Sequence, residues 1–337
     1  MRYFMQYAAG TSDLLLDAIS NQIRDVDVLY RDDSAVIFES RSPAKEVASL
    51  PFAKNAFIVL TSTARGNIDR GVEQLSRSVN KIRFPNQSPK INAFRTMIHI
   101  DGELSSVSQK SKSALERAIA GQTRARLEPR GKCQEYWVIG RLDMRELLLC
   151  MRLPKPERPP KAKGAISYEL SAMLVHASRP HPKDIFLDPF AGSGSFVQAR
   201  LELPAHEIWY SDRDLRSFRP NFPREMTTDK RVGFLSDDAL TLPSVPDGGV
   251  DVIVTDPPWG EHEELKMPYP DFANAMAKSF DRVLHPTHGD FVILCSRRTS
   301  EIIARSLQDA AFEINASHSI LVNGHPATVL MGGRPKS

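Results

Sequence analysis

The chain reads as an α/β protein in two parts. Its C-terminal half is built as a doubly wound sheet that closes with an antiparallel strand pair, and a smaller α/β module precedes it. Three observations predict this. From about residue 164 onward, short apolar runs alternate with amphipathic stretches of helical period, the pattern of strands and helices laid alternately on a parallel sheet. Pro154, Pro156, Pro159 and Pro160 separate the two parts, and a stretch so rich in proline is extended and semi-rigid. The halves also differ in charge: residues 1–160 carry 25 Lys and Arg against 18 Asp and Glu, whereas residues 161–337 carry 19 against 23.

A length of 337 residues allows two or three domains, and 41% hydrophobic with 25% charged residues is ordinary for a soluble globular protein. No apolar run approaches the roughly 20 residues of a membrane helix, and the N-terminus reaches Asp13 too soon for a signal peptide. Cys133, Cys150 and Cys295 lack metal-like spacing and leave one cysteine over in any disulfide scheme, so a reducing, cytoplasmic setting is expected. The positive charge concentrates in residues 54–158, with 20 cations against 10 acids. A basic module joined to an acidic one suggests that the first meets a polyanion.

Within residues 1–50, strands are expected at 3–9 and 35–38, with a helix capped by Thr11 or Ser12 running to about Ile23. Within 51–153, a strand at 57–60 precedes a helix at 67–81, whose Ile68, Val72, Leu75 and Val79 share one face. A strand at 94–100 alternates Phe94, Thr96, Ile98 and Ile100 on one side. A helix at 106–120 can end at Gly121. A cationic turn and two strands, 136–142 and 147–153, complete this part. Lys110, Lys112, Arg117, Arg124, Arg126, Arg130 and Lys132, with Arg95 from the neighbouring strand, are the candidate phosphate contacts. Residues 154–163 are the linker. Beyond it, strands are expected at 184–187, 207–210, 231–235, 250–255 and 290–294, followed by the antiparallel pair 312–322 and 328–331.

Chemistry is expected outside the carboxyl ends of those strands. The first strand runs into Asp188-Pro189-Phe190-Ala191-Gly192-Ser193-Gly194, a glycine turn opening a helix, which suits the polar end of a cofactor. It matches neither the dinucleotide fingerprint nor the P-loop. The second strand ends at Asp212, placed to accept ribose hydroxyls, and the third at Asp238, placed to meet an exocyclic amine. The fourth ends in Asp256-Pro257-Pro258-Trp259-Gly260. Two successive prolines offer no N–H and hold the chain in a stiff extended turn. That turn sets acceptors beside a flat ring, an arrangement for a nucleobase amine. His262, His285, His288, His318 and His325 show no metal-binding spacing, and no metal is expected.

On the glycine loop and the Asp256-Pro257-Pro258-Trp259 motif, residues 164–337 resemble class I S-adenosylmethionine-dependent methyltransferases of the amino-methylating type. The basic part before them resembles a THUMP domain (51–153) behind a small ferredoxin-like domain (1–50). The whole chain is thus similar to the THUMP-containing RNA guanine-N2 methyltransferases. That resemblance implies a Rossmann-like catalytic fold and S-adenosylmethionine held by residues 188–194, Asp212 and Asp238. It also implies catalysis at Asp256, Pro257, Pro258 and Trp259, on RNA and above all on tRNA. Ala191 stands where the family commonly has Cys, and Ser195 where it has Thr; both stay small. The acidic run Glu261-His262-Glu263-Glu264 would repel phosphate if it faced the RNA. An adenine-N6 methyltransferase and a catalytically silent RNA-binding protein are the alternatives.

Overall fold

The computed structural model describes residues 1–85, 92–128, 130–156, 165–261 and 265–335. The chain divides into two compact units. One comprises Met1–Tyr7 and Ile19–Glu157, the other Ala8–Ala18 and Arg158–Ser337. Most of the expected linker, residues 157–163, lies outside the described residues. No helix among the described residues is long and apolar enough to cross a membrane.

The first unit is built on one nine-stranded sheet. Its strands are β1 (Arg2–Gln6), β2 (Asp27–Arg31), β3 (Ala35–Glu39), β4 (Asn55–Ala64), β5 (Ala93–Ile100), β6 (Glu103–Leu104), β7 (Arg126–Leu127), β8 (Gln134–Gly140) and β9 (Glu146–Arg152). The order is β2-β3-β1-β4-β9-β8-β5-β6, with β7 paired to β5. A single sheet therefore runs through both regions expected as separate domains, 1–50 and 51–153, because β1 pairs with β3 on one side and β4 on the other. The unit's helices are α2 (Ala44–Ala48), α3 (Ile68–Val79) and α4 (Gln109–Thr123); most of α1 (Ser12–Ser20) belongs to the second unit.

Side chains alternate across a strand, so the sheet has two apolar faces. Gly71 of α3 lies against Leu147, which sets α3 on one face. Leu148 points the other way, into a core with Phe4, Ile37, Phe57, Trp137, Ile139 and Cys150. That second face is closed by curvature. Arg141, just past β8, donates from Nε to Asp32 in the β2–β3 turn at 2.7 Å and from Nη2 to the other carboxylate oxygen at 2.9 Å. In a flat sheet the two would stand at opposite ends of strands four places apart, roughly 30 Å from each other at about 4.8 Å per strand and 3.3 Å per residue. The sheet curls until they meet.

Helix α4 runs through Gly121, the expected stop, to Thr123. Arg124 caps it in the left-handed region (φ 57°), its N–H bonded to the Ala120 carbonyl. A glycine on the helix surface does not end it while the ladder beyond is intact.

The second unit holds β10 (Ile185–Asp188), β11 (Glu207–Ser211), β12 (Val232–Leu235), β13 (Val252–Thr255), β14 (Asp290–Ser296), β15 (Glu313–Val322) and β16 (His325–Gly333). Its helices are α5 (Tyr168–Ala177), α6 (Ser195–Leu201), α7 (Leu215–Phe218), α8 (Arg224–Thr228), α9 (Tyr269–Val283) and α10 (Ser300–Asp309). The sheet order is β12-β11-β10-β13-β14-β16-β15. The first five strands are parallel, and β16 and β15 close the sheet antiparallel, as expected. The chain winds outward from β10 in one direction and from β13 in the other. The crevice between those two strands is the switch point where such sheets bind ligands.

Ala8–Ala18 belongs to this second unit. Gly10 has φ +85°, and a Cβ built on it would lie 2.6 Å from the Ile320 Cα and 2.7 Å from the Ser319 carbonyl on β15. Asp13 lies 3.6 Å from His318 on the same strand. Gly10→Ala is therefore expected to destabilise this unit by about 2 kcal/mol, since the backbone cannot yield to a methyl group there. Calorimetry should show its melting fall by roughly 4–8 °C. An unchanged Tm would mean that the segment does not pack on β15.

Candidate active site

Strand β13 is buried on both faces and delivers its last residue, Thr255, to the switch point. Asp256 follows half-buried, Pro257 is buried, and Pro258 and Trp259 are half-buried. The indole Nε1–H of Trp259 donates to Asp256 Oδ1 at 2.7 Å, which fixes both the carboxylate and the ring. Tyr269, at the start of α9, donates its hydroxyl to the Pro258 carbonyl at 3.2 Å. Its ring occupies the space a side chain would need at Gly260 (φ +71°): a Cβ there would lie 2.6 Å from it. Glu261 accepts a hydrogen bond from the Ser296 hydroxyl at the end of β14, and Arg298 lies 4.0 Å away. The first residue of the acidic run is thus paired within the protein. His262, Glu263 and Glu264 lie outside the described residues.

The glycine loop leaves β10 beside this turn. Within it, the Ala191 N–H donates to the Ser211 carbonyl at 3.0 Å, the Gly192 N–H to Asp212 Oδ2 at 2.9 Å and the Gly194 N–H to the Ala191 carbonyl at 2.7 Å. Tyr210 donates its hydroxyl to the Gly192 carbonyl at 2.7 Å. Gly192 and Gly194 have φ +48° and +79°, and a Cβ at Gly194 would lie 2.8 Å from the Met226 methyl group. Pro189 and Ala191 are buried, whereas Phe190, Gly192 and Ser193 are half-buried, Phe190 packing on Phe272 of α9.

The four acids differ in setting. Asp188 is 1% exposed. Burial pushes its carboxyl well above the usual range; the Thr255 hydroxyl opposes this, and the charges of Asp256 and Asp212 add to it. Asp212 is half-buried, holding the Gly192 and Asp214 N–H groups. Asp237 is buried and accepts both the backbone N–H and hydroxyl of Ser244 at 2.9 Å, whereas its neighbour Asp238 is exposed. Cys295 is buried, its thiol pushed up to about 12 by burial and then by the Asp256 charge, so it offers no thiolate near the turn. Among the described residues, no cluster of His, Cys, Asp or Glu could hold a metal ion.

In the first unit, Lys110, Arg117, Arg124, Arg126, Arg130 and Lys132 are exposed. Lys112 is half-buried, 4.0 Å from Glu116 one turn on. Arg95 is committed differently. It pairs with the buried Glu135, which also accepts from Trp137 Nε1 at 2.8 Å and Arg152 Nη1 at 2.9 Å.

Thr255, Tyr269, Ser296 and Met226 complete the site's framework. Thr255 is marked in the sequence as a hydroxyl closing an apolar strand. The others come from elements distant in sequence.

Comparisons with known proteins agree with this architecture. The family described as UPF0020, RMKL-like, methyltransferase domain matches residues 215–323. TrmN from Thermus thermophilus superposes with a TM-score of 0.79 at 19% identity, covering 99% of each chain. SMU.472, assigned as a methyltransferase and crystallised with SAH, gives 0.70 at 14% identity over 100% of this chain and 98% of its own. A Listeria monocytogenes protein, whose predicted activity is N6-adenine-specific DNA methylation, gives 0.64 at 14% identity over 99% and 96%. No curated protein matches the sequence. The chain shares the fold of these proteins along its length, and the stretch that matches the methyltransferase-domain model lies within its C-terminal unit.

Proposed function

We propose that the chain is an RNA methyltransferase that carries the methyl group of S-adenosylmethionine to the exocyclic N2 amine of a guanosine, in tRNA before other RNAs. The observation that carries this reading is the Asp256-Pro257-Pro258-Trp259 turn at the switch point, side by side with a glycine loop. The residues present fit the cofactor. At Gly192 a Cβ would meet nothing nearer than 4.0 Å, so the loop backbone is open to close approach. Gly192 and Ser193 would hold the methionine end, Asp212 the ribose, and the exposed Asp238 the adenine amine. When bound, S-adenosylmethionine supplies a sulfonium-activated methyl group.

A guanine N2 amine is a poor nucleophile because its lone pair is delocalised into the ring. Asp256 and the Pro257 carbonyl accept its two hydrogens and turn the lone pair outward. Trp259 stacks on the base, and its N–H keeps the carboxylate in place. Alignment of this kind can contribute several kcal/mol, up to about 10. A base inside a helix must first be flipped out. The first unit, read as a ferredoxin-like part followed by a THUMP-like part, presents its exposed cations to the phosphates. The acceptors alone would also suit adenine N6; the basic unit favours structured RNA.

The test uses methyl-labelled S-adenosylmethionine with separate pools of tRNA, rRNA and DNA. Label in tRNA is expected, with binding that weakens steeply as salt rises. Label confined to DNA would contradict the substrate, and none in any pool would point to a binding protein instead.

A further inference from the structure

We infer that Asp188 joins the two halves of the site: its carboxyl group, sealed from solvent, ties the glycine loop to Thr255 and so sets the loop's position against Asp256. This rests on the reading above only for what the two halves do; the link itself is geometric. In the sequence Asp188 looks like part of the cofactor cradle. In the structure its side chain is 1% exposed and points along the sheet. Its Oδ1 accepts the Thr255 hydroxyl at 2.7 Å and the Phe190 N–H at 3.3 Å.

The place of this bond gives it consequence. Backbone partners across β10 and β13 run Phe186 with Val252 and Leu187 with Ile253. Past them the two chains turn opposite ways, one into the glycine loop and the other into the Asp256 turn. The Asp188–Thr255 bond is the cross-link at the mouth of that fork. Thr255 is itself fully buried and is bonded in the chain to Asp256. A shift of the glycine loop is therefore felt at Asp256 through two side chains, with no solvent to absorb it.

The chemistry of the pair explains why a carboxyl group can stay there. An ionised carboxylate sealed from water beside two other acids would be costly. As the neutral acid it costs far less, and it still accepts from Thr255 while carrying a proton of its own. Asparagine has the same shape, the same acceptor and a donor in place of that proton. Asp188→Asn should then keep the link to Thr255 that Asp188→Ala breaks.

The experiment compares wild type, Asp188→Asn, Asp188→Ala and Thr255→Val in the full chain. It reads amide hydrogen exchange of residues 190–194 and 259–261, calorimetric binding of S-adenosylhomocysteine, and methyl transfer. Thr255→Val, which keeps shape and loses the hydroxyl, should speed exchange about tenfold in both segments together. Asp188→Ala should do the same, and Asp188→Asn should leave both within about twofold. Where transfer is measured, Thr255→Val should lower kcat at least tenfold while S-adenosylhomocysteine affinity falls less than threefold. The inference is overturned if Thr255→Val leaves both segments unchanged or loosens only one. It is equally overturned if Asp188→Asn weakens cofactor binding tenfold or more, since the carboxylate would then be a ligand. The exchange arm decides the matter whether or not wild type transfers methyl groups, and only loss of transfer by wild type itself counts against the proposed activity.

Discussion

Asp256→Ala is expected to lower the rate of methyl transfer by about 10³-fold while changing S-adenosylhomocysteine affinity by less than threefold. Removing one preorganised partner at a reacting centre typically costs a factor of 10² to 10³. Here the loss is compounded, because Trp259 forfeits the carboxylate that its indole N–H holds at 2.7 Å. The fold should survive: Asp256 is half-buried just past the carboxyl end of β13, and the turn around it is stiffened by two prolines and by Tyr269 on Pro258. Single-turnover kinetics with calorimetry on the same preparation separates the two effects. A large loss of cofactor affinity would put Asp256 in the cofactor cradle and not at the acceptor amine.

The second large effect is on stability. Glu135→Ala should destabilise the first unit by about 3 kcal/mol, as expected when one member of a buried ionic cluster is removed. Glu135 is 6% exposed. Arg95 and Arg152, each about a third exposed at the side chain, would be left facing each other, and the buried Trp137 N–H would lose its acceptor. Burial alone would raise the Glu135 carboxyl, but hydrogen bonds from Arg95 and Trp137 and the charge and hydrogen bond of Arg152 outweigh it and hold it below the usual range. A folded-state value below the unfolded one means stability that is complete at neutral pH. It is lost as pH falls below the ordinary glutamate range, about 4.3, through the lower folded value. Thermal unfolding should show this acid-side loss in wild type and less of it in Glu135→Gln. Equal losses in both would assign acid lability to other groups.

These residues also mark where the sequence is legible. Strand β13 is readable because a parallel strand covered on both faces is an unbroken apolar run, and the acid after it then falls at the sheet's binding edge. The glycine loop is readable because its turn demands glycine at Gly194, where φ is positive and Met226 fills the side-chain space. Which way each acid points is not readable. Asp188 turns into the protein and Asp238 outward, and the difference lies in Thr255, 67 positions downstream. The same holds for Arg95: its exposure to a phosphate depends on Glu135, forty residues on, which claims its guanidinium. Strand β2 and helices α2, α7 and α8 escape notice because they are four or five residues long, too short for a period to show. The curl that brings Arg141 to Asp32 is a property of the sheet as a whole, with no local signature.

Asp256 and its turn are proposed to present a guanine amine for methylation. The most direct measurement digests tRNA that the protein has methylated from labelled S-adenosylmethionine and identifies the labelled nucleoside by chromatography and mass. The expected result is N2-methylguanosine in the wild-type digest and none from Asp256→Ala. Label in N6-methyladenosine, or undiminished label from Asp256→Ala, would contradict it.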